Sequence, residues 1–157
     1  MARFMRKGTT KIHFVPTISD PSGPTVSEIT AGTELQDELA EITGFGFTNN
    51  PIDTPDMGSA FVGKIPDEDT TDNSDLTFYE DDTSNPILTA LAKGTQGYIV
   101  IFPSGTAGAT PAAADVCDVW PATVASNTRI YSAGNEAAKD QVMFTLTSEP
   151  SIDAVVE

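Results

Sequence analysis

Asp67, Glu68, Asp69, Asp72 and Asp75 crowd into nine residues. Hard oxygen ligands at that density are what calcium takes. The helix–loop–helix calcium template fails on them, because it requires glycine at its sixth position and glutamate at its twelfth, where this chain has Asp72 and Phe78. An irregular calcium site and a plainly solvated acidic loop remain the two readings, the second being the default. The chain has one histidine, His13, and one cysteine, Cys117. A nucleophile needs a base within reach, and nothing in the spacing places these two together. His13 lies in a strand-like segment. Cys117 lies in the alternating run Val116-Cys117-Asp118-Val119-Trp120, where a small buried side chain is expected. Gly44-Phe45-Gly46 lacks the third glycine and the following helix of a dinucleotide loop, and no Walker sequence is present. Paired carboxylates could in principle cleave glycosides, but among 23 acidic residues some pair always looks suggestive. The expectation is a chain with no catalytic residue, no metal and no cofactor.

The charge balance points the same way. Eight basic residues face 23 acidic ones, for a net charge of −15. Such a field repels phosphate backbones and anionic membranes. Half of the basic residues, Arg3, Arg6, Lys7 and Lys11, fall within the first eleven positions. They read either as a solvated start of the chain or as an arm that docks on an acidic surface. A single cysteine forms no internal disulfide. The longest apolar run, Tyr98 to Phe102, is five residues, against the ~20 that span a bilayer. No apolar run follows the N-terminal charges, so no secretory signal is expected. The chain is expected to fold in a cytoplasm.

The elements that would carry these residues are mostly strands. Thr10–Ile18 alternates as a strand, Asp20–Pro24 is a turn, and Thr25–Thr30 reads as a second strand. Leu35, Leu39 and Ile42 have helical spacing, and Thr33 with Gln36 fits a capping box, so a short helix is expected over 31–42. Residues 51–66, with three prolines and two glycines, read as a long excursion holding a short strand at 59–62, and 67–75 as a loop. Leu76–Glu80 is a strand. Asn85-Pro86 and Gly94 bracket a helix over 85–93, with Lys93 in its last turn. Strands follow at 96–103, at 115–124 with a bulge at Pro121, at 127–131, and at 140–147, where Val142, Phe144 and Leu146 alternate. The tail 148–157 is expected to be extended and mobile. The fold class is mainly β: one domain over 1–157, a sandwich or barrel of about seven strands with one packed helix.

The order of short words along the chain adds to this. Ile29-Thr30-Ala31-Gly32-Thr33-Glu34-Leu35, Ile42-Thr43-Gly44-Phe45, Ile52-Asp53-Thr54-Pro55-Asp56 and Lys64-Ile65-Pro66 precede Leu76-Thr77-Phe78-Tyr79. Lys93-Gly94-Thr95, Gly97-Tyr98, Val119-Trp120-Pro121 and Ala133-Gly134-Asn135-Glu136 follow. Over Thr10–Thr147 this succession resembles the major tail tube proteins of phages with long, non-contractile tails. The resemblance implies a virion structural protein and not an enzyme. It implies hexameric rings stacked into a tube that carries DNA into the host. It also implies ends that meet a tape measure protein and terminator or tip proteins, and assembly in the host cytoplasm.

In that setting the arm is Met1–Lys11 and the inter-subunit loop Pro51–Asp75. The candidate contacts are Arg3, Phe4, Met5, Arg6, Lys7 and Lys11 on the arm, with Ile52, Pro55, Met57, Phe61, Asp67, Glu68, Asp69 and Asp72 on the loop. Six copies at −15 each carry −90 per ring. Acidic residues on the channel wall would let DNA pass without sticking, whereas acidic residues on the outside would serve solubility. A monomeric sandwich-type adhesion or carbohydrate-binding module is the rival from another class, with Trp120, Tyr79, Tyr98 and Tyr131 as its available aromatics. A capsid decoration or head–tail joining protein is the rival within the virion.

Overall fold

A computed structural model describes all of residues 1–157. In chain order its elements are β1 (Lys11–Val15), α1 (Val26–Thr30), β2 (Thr33–Glu34), β3 (Leu39–Thr43), β4 (Phe47–Asn49), β5 (Ile52–Thr54), β6 (Gly63–Ile65), β7 (Asp69–Thr71), β8 (Ser74–Tyr79), α2 (Pro86–Ala90), β9 (Gln96–Phe102), β10 (Val116–Ile130), β11 (Lys139–Leu146) and β12 (Ser151–Val155). Mainly β is the class expected from the sequence. Eight strands form one open antiparallel sheet in the order β2-β1-β9-β10-β11-β8-β3, with β12 beside the start of β10. Four short strands lie outside it.

β10 is the spine. Its residues 118–123 pair with β9 on one side. On the other side it pairs first with β12, through Val116–Val119, and then with β11, through Ala122–Ile130. Side chains alternate across a strand, so Trp120, Ala122 and Val124 enter one apolar cluster while Cys117 and Val119 enter another. The first cluster gathers Ile12, Phe14, Leu76, Phe78, Ile99, Val142 and Phe144, covered by Ile87 and Leu91 from the α2 region. The second gathers Val15, Val100, Phe102, Ala154 and Val156, covered by Ile29 of α1. Each such fully buried large side chain contributes about 1.5–3 kcal/mol.

Pro121 sits inside β10 without bending it into a bulge; the register irregularities fall between Cys117 and Val119 against β12 and between Val124 and Ser126 against β11. Its carbonyl accepts from Thr147 N at 3.1 Å, on the side where β12 has ended and β11 begins. Backbone N–H and C=O of one strand residue point to the same side. The donor that proline lacks would therefore face Thr147, one position beyond the last registered pair of the β11 ladder, so only a terminal bond is lost.

Several local expectations are corrected. Residues 25–30 form a helix, not a strand. The capping box is Thr25 with Glu28: Glu28 N donates to Thr25 Oγ1 at 3.3 Å, and Thr25 N donates to Glu28 Oε2 at 3.0 Å. The expected helix over 31–42 is instead two strands and a turn. Gly32 lets the chain pass against β1, where a Cβ would stand 2.4 Å from the Phe14 carbonyl oxygen. Beyond it Leu35 N donates to Ile12 O, and Gln36 Oε1 accepts from Ile12 N, so a side chain continues the ladder that β2 starts. Helical spacing of Leu35, Leu39 and Ile42 has no helix behind it: Leu35 is buried and Ile42 is exposed.

The helix expected at 85–93 is shorter, with Pro86 at its start and Leu91 as its cap, so Lys93 lies beyond its last turn. Asn85 holds the Asp81 amide instead of capping. The two strands expected at 115–124 and 127–131 are one. The tail is not loose: Ser151–Val155 pairs with β10, and Val156 is buried.

Candidate assembly interface

β3 and β8 leave the sheet together and keep their partnership. Thr43 stands opposite Asp75 in the sheet, Phe47 opposite Thr71 four residues farther on along both strands, and Asn49 opposite Asp69. Ile52 opposite Ile65 and Thr54 opposite Gly63 then carry the pairing outward with a slip of one residue. The excursion is therefore one antiparallel ribbon from Leu39 and Phe78 to a tip at residues 55–62, not a loop with a strand at 59–62. Eleven residues from Thr43 to Thr54 at ~3.3 Å each give this strand of the ribbon a contour length of at most roughly 35 Å, bent at Gly44 and Phe45.

The ribbon's surface is apolar in places and acidic in others. Ile52 and Ile65, paired across it, are each about half exposed, Phe61 is 78% exposed and Met57 is fully exposed at the tip. The tip is held by its own polar groups: Gly58 N donates to Asp56 Oδ1 at 2.7 Å, and Phe61 N to Ser59 Oγ at 3.0 Å. Along the returning strand Asp67, Glu68, Asp69 and Asp72 are all exposed. Asn49 Nδ2 donates to Asp69 Oδ1 at 2.7 Å, and none of the four carboxylates has a cation of this chain beside it. The ribbon's one ion pair is Lys64 with Asp53, 2.8 Å across β5 and β6.

The arm is the opposite in charge. Arg3, Phe4, Met5, Arg6 and Lys7 are exposed, Met5 by 74%. A turn anchors the arm, with Thr9 N and Thr10 N both donating to Arg6 O, and Arg6 Nη1 donating to Pro103 O at 3.2 Å. The Arg6 guanidinium stands 6.0 Å from the Phe4 ring centroid, within cation–π range. Lys11 Nζ donates to the Gly108 and Ala109 carbonyls. None of the four N-terminal cations meets a carboxylate of this chain.

Between the start of β1 and β3 the sheet does not close, and a cleft of about 840 Å³ opens there. Arg6, Lys7 and Lys11 line one side, Leu39, Ala40 and Ile42 of β3 the other, and Phe45 with Trp120 the floor. Phe45 packs edge-on against Trp120 at 5.7 Å between ring centroids, and Phe47 lies over the same indole at 5.6 Å. The ribbon's base is thus pinned to the main core.

The titratable groups inside the body do structural work. Burial pushes the Cys117 thiol up to about 12, so it stays protonated and is a poor nucleophile at neutral pH. Burial also lowers the His13 pKa, against the pull of Glu34 at 3.8 Å, and its ring packs edge-on against Phe102. Asp140 is buried beside Glu80, and burial, then the neighbouring carboxyl, raises its pKa, while Arg129 opposes. No group of three or more His, Cys, Asp or Glu side chains is placed to hold a metal ion. No helix is long and apolar enough to cross a membrane.

Within one chain the structure brings Arg6, Lys7 and Lys11, but not Arg3, to the cleft and pairs none of the four with the acidic ribbon. Ile52, Pro55, Met57 and Phe61 all lie on the ribbon's outer half. Sequence reasoning missed Phe47, Val62 and Ile65, which are exposed on the same ribbon; Tyr131, named only as an aromatic available to the rival binding module, is 87% exposed just beyond β10. It also missed the cleft, whose walls come from segments far apart in the chain. For the ribbon a signal existed: Ile52-Asp53-Thr54 and Gly63-Lys64-Ile65 mirror each other about the tip.

The model of the phage tail tube protein family matches residues 1–157. No curated protein matches the chain by sequence. Among solved structures, a chain of the PVC sheath/tube terminator in the extended state, from an extracellular contractile injection system, is similar with a TM-score of 0.65 at 11% identity, covering 95% of this chain and 96% of that one. A chain of the anti-feeding prophage tube terminating cap gives 0.61 at 15% identity, with 93% and 89% covered. One from the PVC sheath–tube complex gives 0.59 at 12%, with 89% and 85% covered. At such identities these likenesses concern the fold. The family match spans the entire sequence, and on it the chain belongs to the phage tail tube protein family, whose members are structural and not enzymatic.

Proposed function

We propose that the chain assembles into hexameric rings that stack into the tube of a phage tail, and that DNA is ejected through the bore. The observation that carries this reading is the ribbon. It sets Met57, Phe61, Ile52 and Ile65 in solvent on two paired strands, and an isolated two-stranded ribbon is at best marginally stable in water. A neighbouring copy is the natural cover for such a surface. The arm's cations and the ribbon's carboxylates, unpaired within the chain, are suited to meet between copies. Arg3, Arg6, Lys7 and Lys11 of one subunit would then face Asp67, Glu68, Asp69 and Asp72 of the next, with Phe4, Met5, Ile52 and Pro55 adding apolar contact. Exposed ion pairs give about 0–1 kcal/mol each, so the apolar contribution is required.

The net charge of −15 per chain supports passage of DNA without binding, wherever carboxylates line the bore. A tape measure protein inside the tube and terminator and tip proteins at its ends would complete the virion tail, assembled in the host cytoplasm. Negative-stain electron microscopy of the purified chain over a concentration series tests the reading. Hollow tubes of constant width and open-ended length are expected. Single rings that never lengthen would favour a joining protein, and monomers at every concentration would overturn the assembly.

A further inference from the structure

We infer that the cleft between β1 and β3 is a socket for the ribbon tip, Met57–Phe61, of a second copy of this chain. The inference rests on the tube reading and names the surface that receives the ribbon. The cleft's own ribbon tip does not fill it: of the ribbon only the base, Gly44 and Phe45, lines the cleft, and no residue from 46 to 75 does. The volume of about 840 Å³ lies in the range of roughly 300–1,000 Å³ typical of binding clefts. Ile12, Leu39, Ile42, Phe45, Ile101 and Trp120 give it an apolar lining, which suits Met57 and Phe61. The Asp56 and Ser59 side chains turn the tip's backbone locally, and docking supplies the cover that a two-stranded ribbon lacks in water.

The cleft carries Asp37, Glu41 and Asp118 beside Arg6, Lys7 and Lys11, so its charges balance, and the tip, with Asp56 as its one carboxylate, is the least acidic part of the ribbon to enter it. Arg6 and Lys7 stand on the rim, and the five residues before Arg6 reach up to about 18 Å from it. From Phe61 back to Asp67 is six residues, about 20 Å of strand. A seated tip therefore brings Asp67 to about the reach of the arm's end at Met1, whereas Arg3, three residues out from Arg6, reaches at most about 11 Å. Plug and socket are different surfaces of one chain, so the contact is head-to-tail and repeats without limit.

Disulfide trapping tests this, because the native Cys117 is buried and its thiol protonated. One chain carries Met57→Cys and another Ala40→Cys on the cleft wall, mixed in equal amounts under assembly conditions and oxidised. Lys93→Cys, exposed on the far side of α2, replaces Ala40→Cys as control. The cleft pair should yield on the order of tenfold more mixed disulfide than the control, as a raised local concentration dictates. Phe61→Asp should keep the monomer's circular dichroism and abolish tubes. Tubes that form with no excess of the cleft disulfide would overturn the socket and leave the tube reading standing. A wild-type chain that forms neither rings nor tubes would overturn both.

Discussion

The amide of Phe45 donates a 3.0 Å hydrogen bond to the hydroxyl of Ser74, tying the outgoing strand of the ribbon to the returning one where both leave the sheet. The residues around that bond are strained or crowded. Phe45 has φ 57 and Gly44 φ 84, and a Cβ on Gly44 would stand 2.7 Å from the Asn73 oxygen and from Ser74 Cα. Left-handed backbone at a non-glycine costs about 1–3 kcal/mol, and here Phe45 recovers it by packing on Trp120 and Phe144. Gly44→Ala should therefore cost about 2 kcal/mol or more, by strain and clash together. Ser74→Ala should cost about 1–3 kcal/mol by orphaning the Phe45 amide. Chemical denaturation of the monomer measures both. Protection of ribbon amides from hydrogen exchange should fall further than that of β10.

Acid should loosen α1 first. Glu28 accepts from Thr25 N at 3.0 Å, Ser19 N at 2.9 Å and Ser19 Oγ at 2.8 Å, and these bonds draw its carboxyl from 4.5 down to about 2. A depressed carboxyl gives stability that is fully present above the unfolded value and is lost as pH falls through the folded one. The window is thus pH 4.5 to 2. Solvent around Glu28 screens the effect, so Glu28→Gln should cost only about 0.5–2 kcal/mol at pH 7, the scale of a lost helix cap. The gap to wild type should shrink as pH is lowered through that window, measured by urea midpoints.

Asp140 should behave in the opposite sense. Its buried carboxyl holds its proton above 3.8, because ionising beside Glu80 away from water is costly. Its Oδ1 is buried without a hydrogen-bond partner, and the buried Oε1 of Glu80 faces Arg129 Nε at 3.2 Å. The folded state then binds the proton more tightly than the unfolded chain, and stability declines as pH rises above 3.8. Asp140→Asn removes that decline and offers an N–H to the Glu80 carboxylate. A gain of about 1 kcal/mol at pH 7 is expected, or ~2–4 °C in Tm for a chain of this size. A loss of stability at pH 7 would refute the account.

Deletion of residues 1–8 should leave a folded monomer that does not polymerise. The deleted segment makes no strand and buries no core side chain, while carrying three of the eight basic residues. Thermal unfolding should shift by less than about 1 kcal/mol equivalent. Assembly of the intact chain should also weaken with added salt over the range where screening shortens to ~3 Å. Normal tubes from the truncated chain would show that the arm does not contribute to the contact.

Strands with clean alternation were readable from sequence. Val142 and Phe144, Leu76 and Phe78, and the run from Tyr98 to Phe102 all sit where period-two burial puts them. Residues 25–43 were not, because tertiary contacts override local spacing there. Leu35 is fixed by the Ile12 backbone and not by a helical face, and Val-Ser-Glu-Ile-Thr, β-branched enough to read as a strand, is turned into a helix by Thr25 and Glu28. The tail's pairing with β10 is a contact between residues more than thirty apart, for which Ser151–Val155 carries no local sign. Of the arm and the ribbon, the charges and the exposed apolar residues Phe4, Met5, Ile52, Met57 and Phe61 were legible by type. The cleft was not, because the residues that line it come from four separate stretches of chain, 6–12, 36–45, 101–103 and 118–120.

The shared register of ribbon and sheet has a mechanical side. A pull on the tip draws β3 and β8 the same way, so the bonds between them carry little of the load. It passes instead into the ladder of β8 with β11, six residue pairs from Tyr79–Lys139 to Ser74–Phe144, lying along the line of force. Bonds loaded in that direction must yield together, whereas bonds pulled crosswise break singly, each in its turn. A tail under tension would thus be gripped through each subunit's own sheet, and its weakest link would be the seat of the tip, not the ribbon that reaches it.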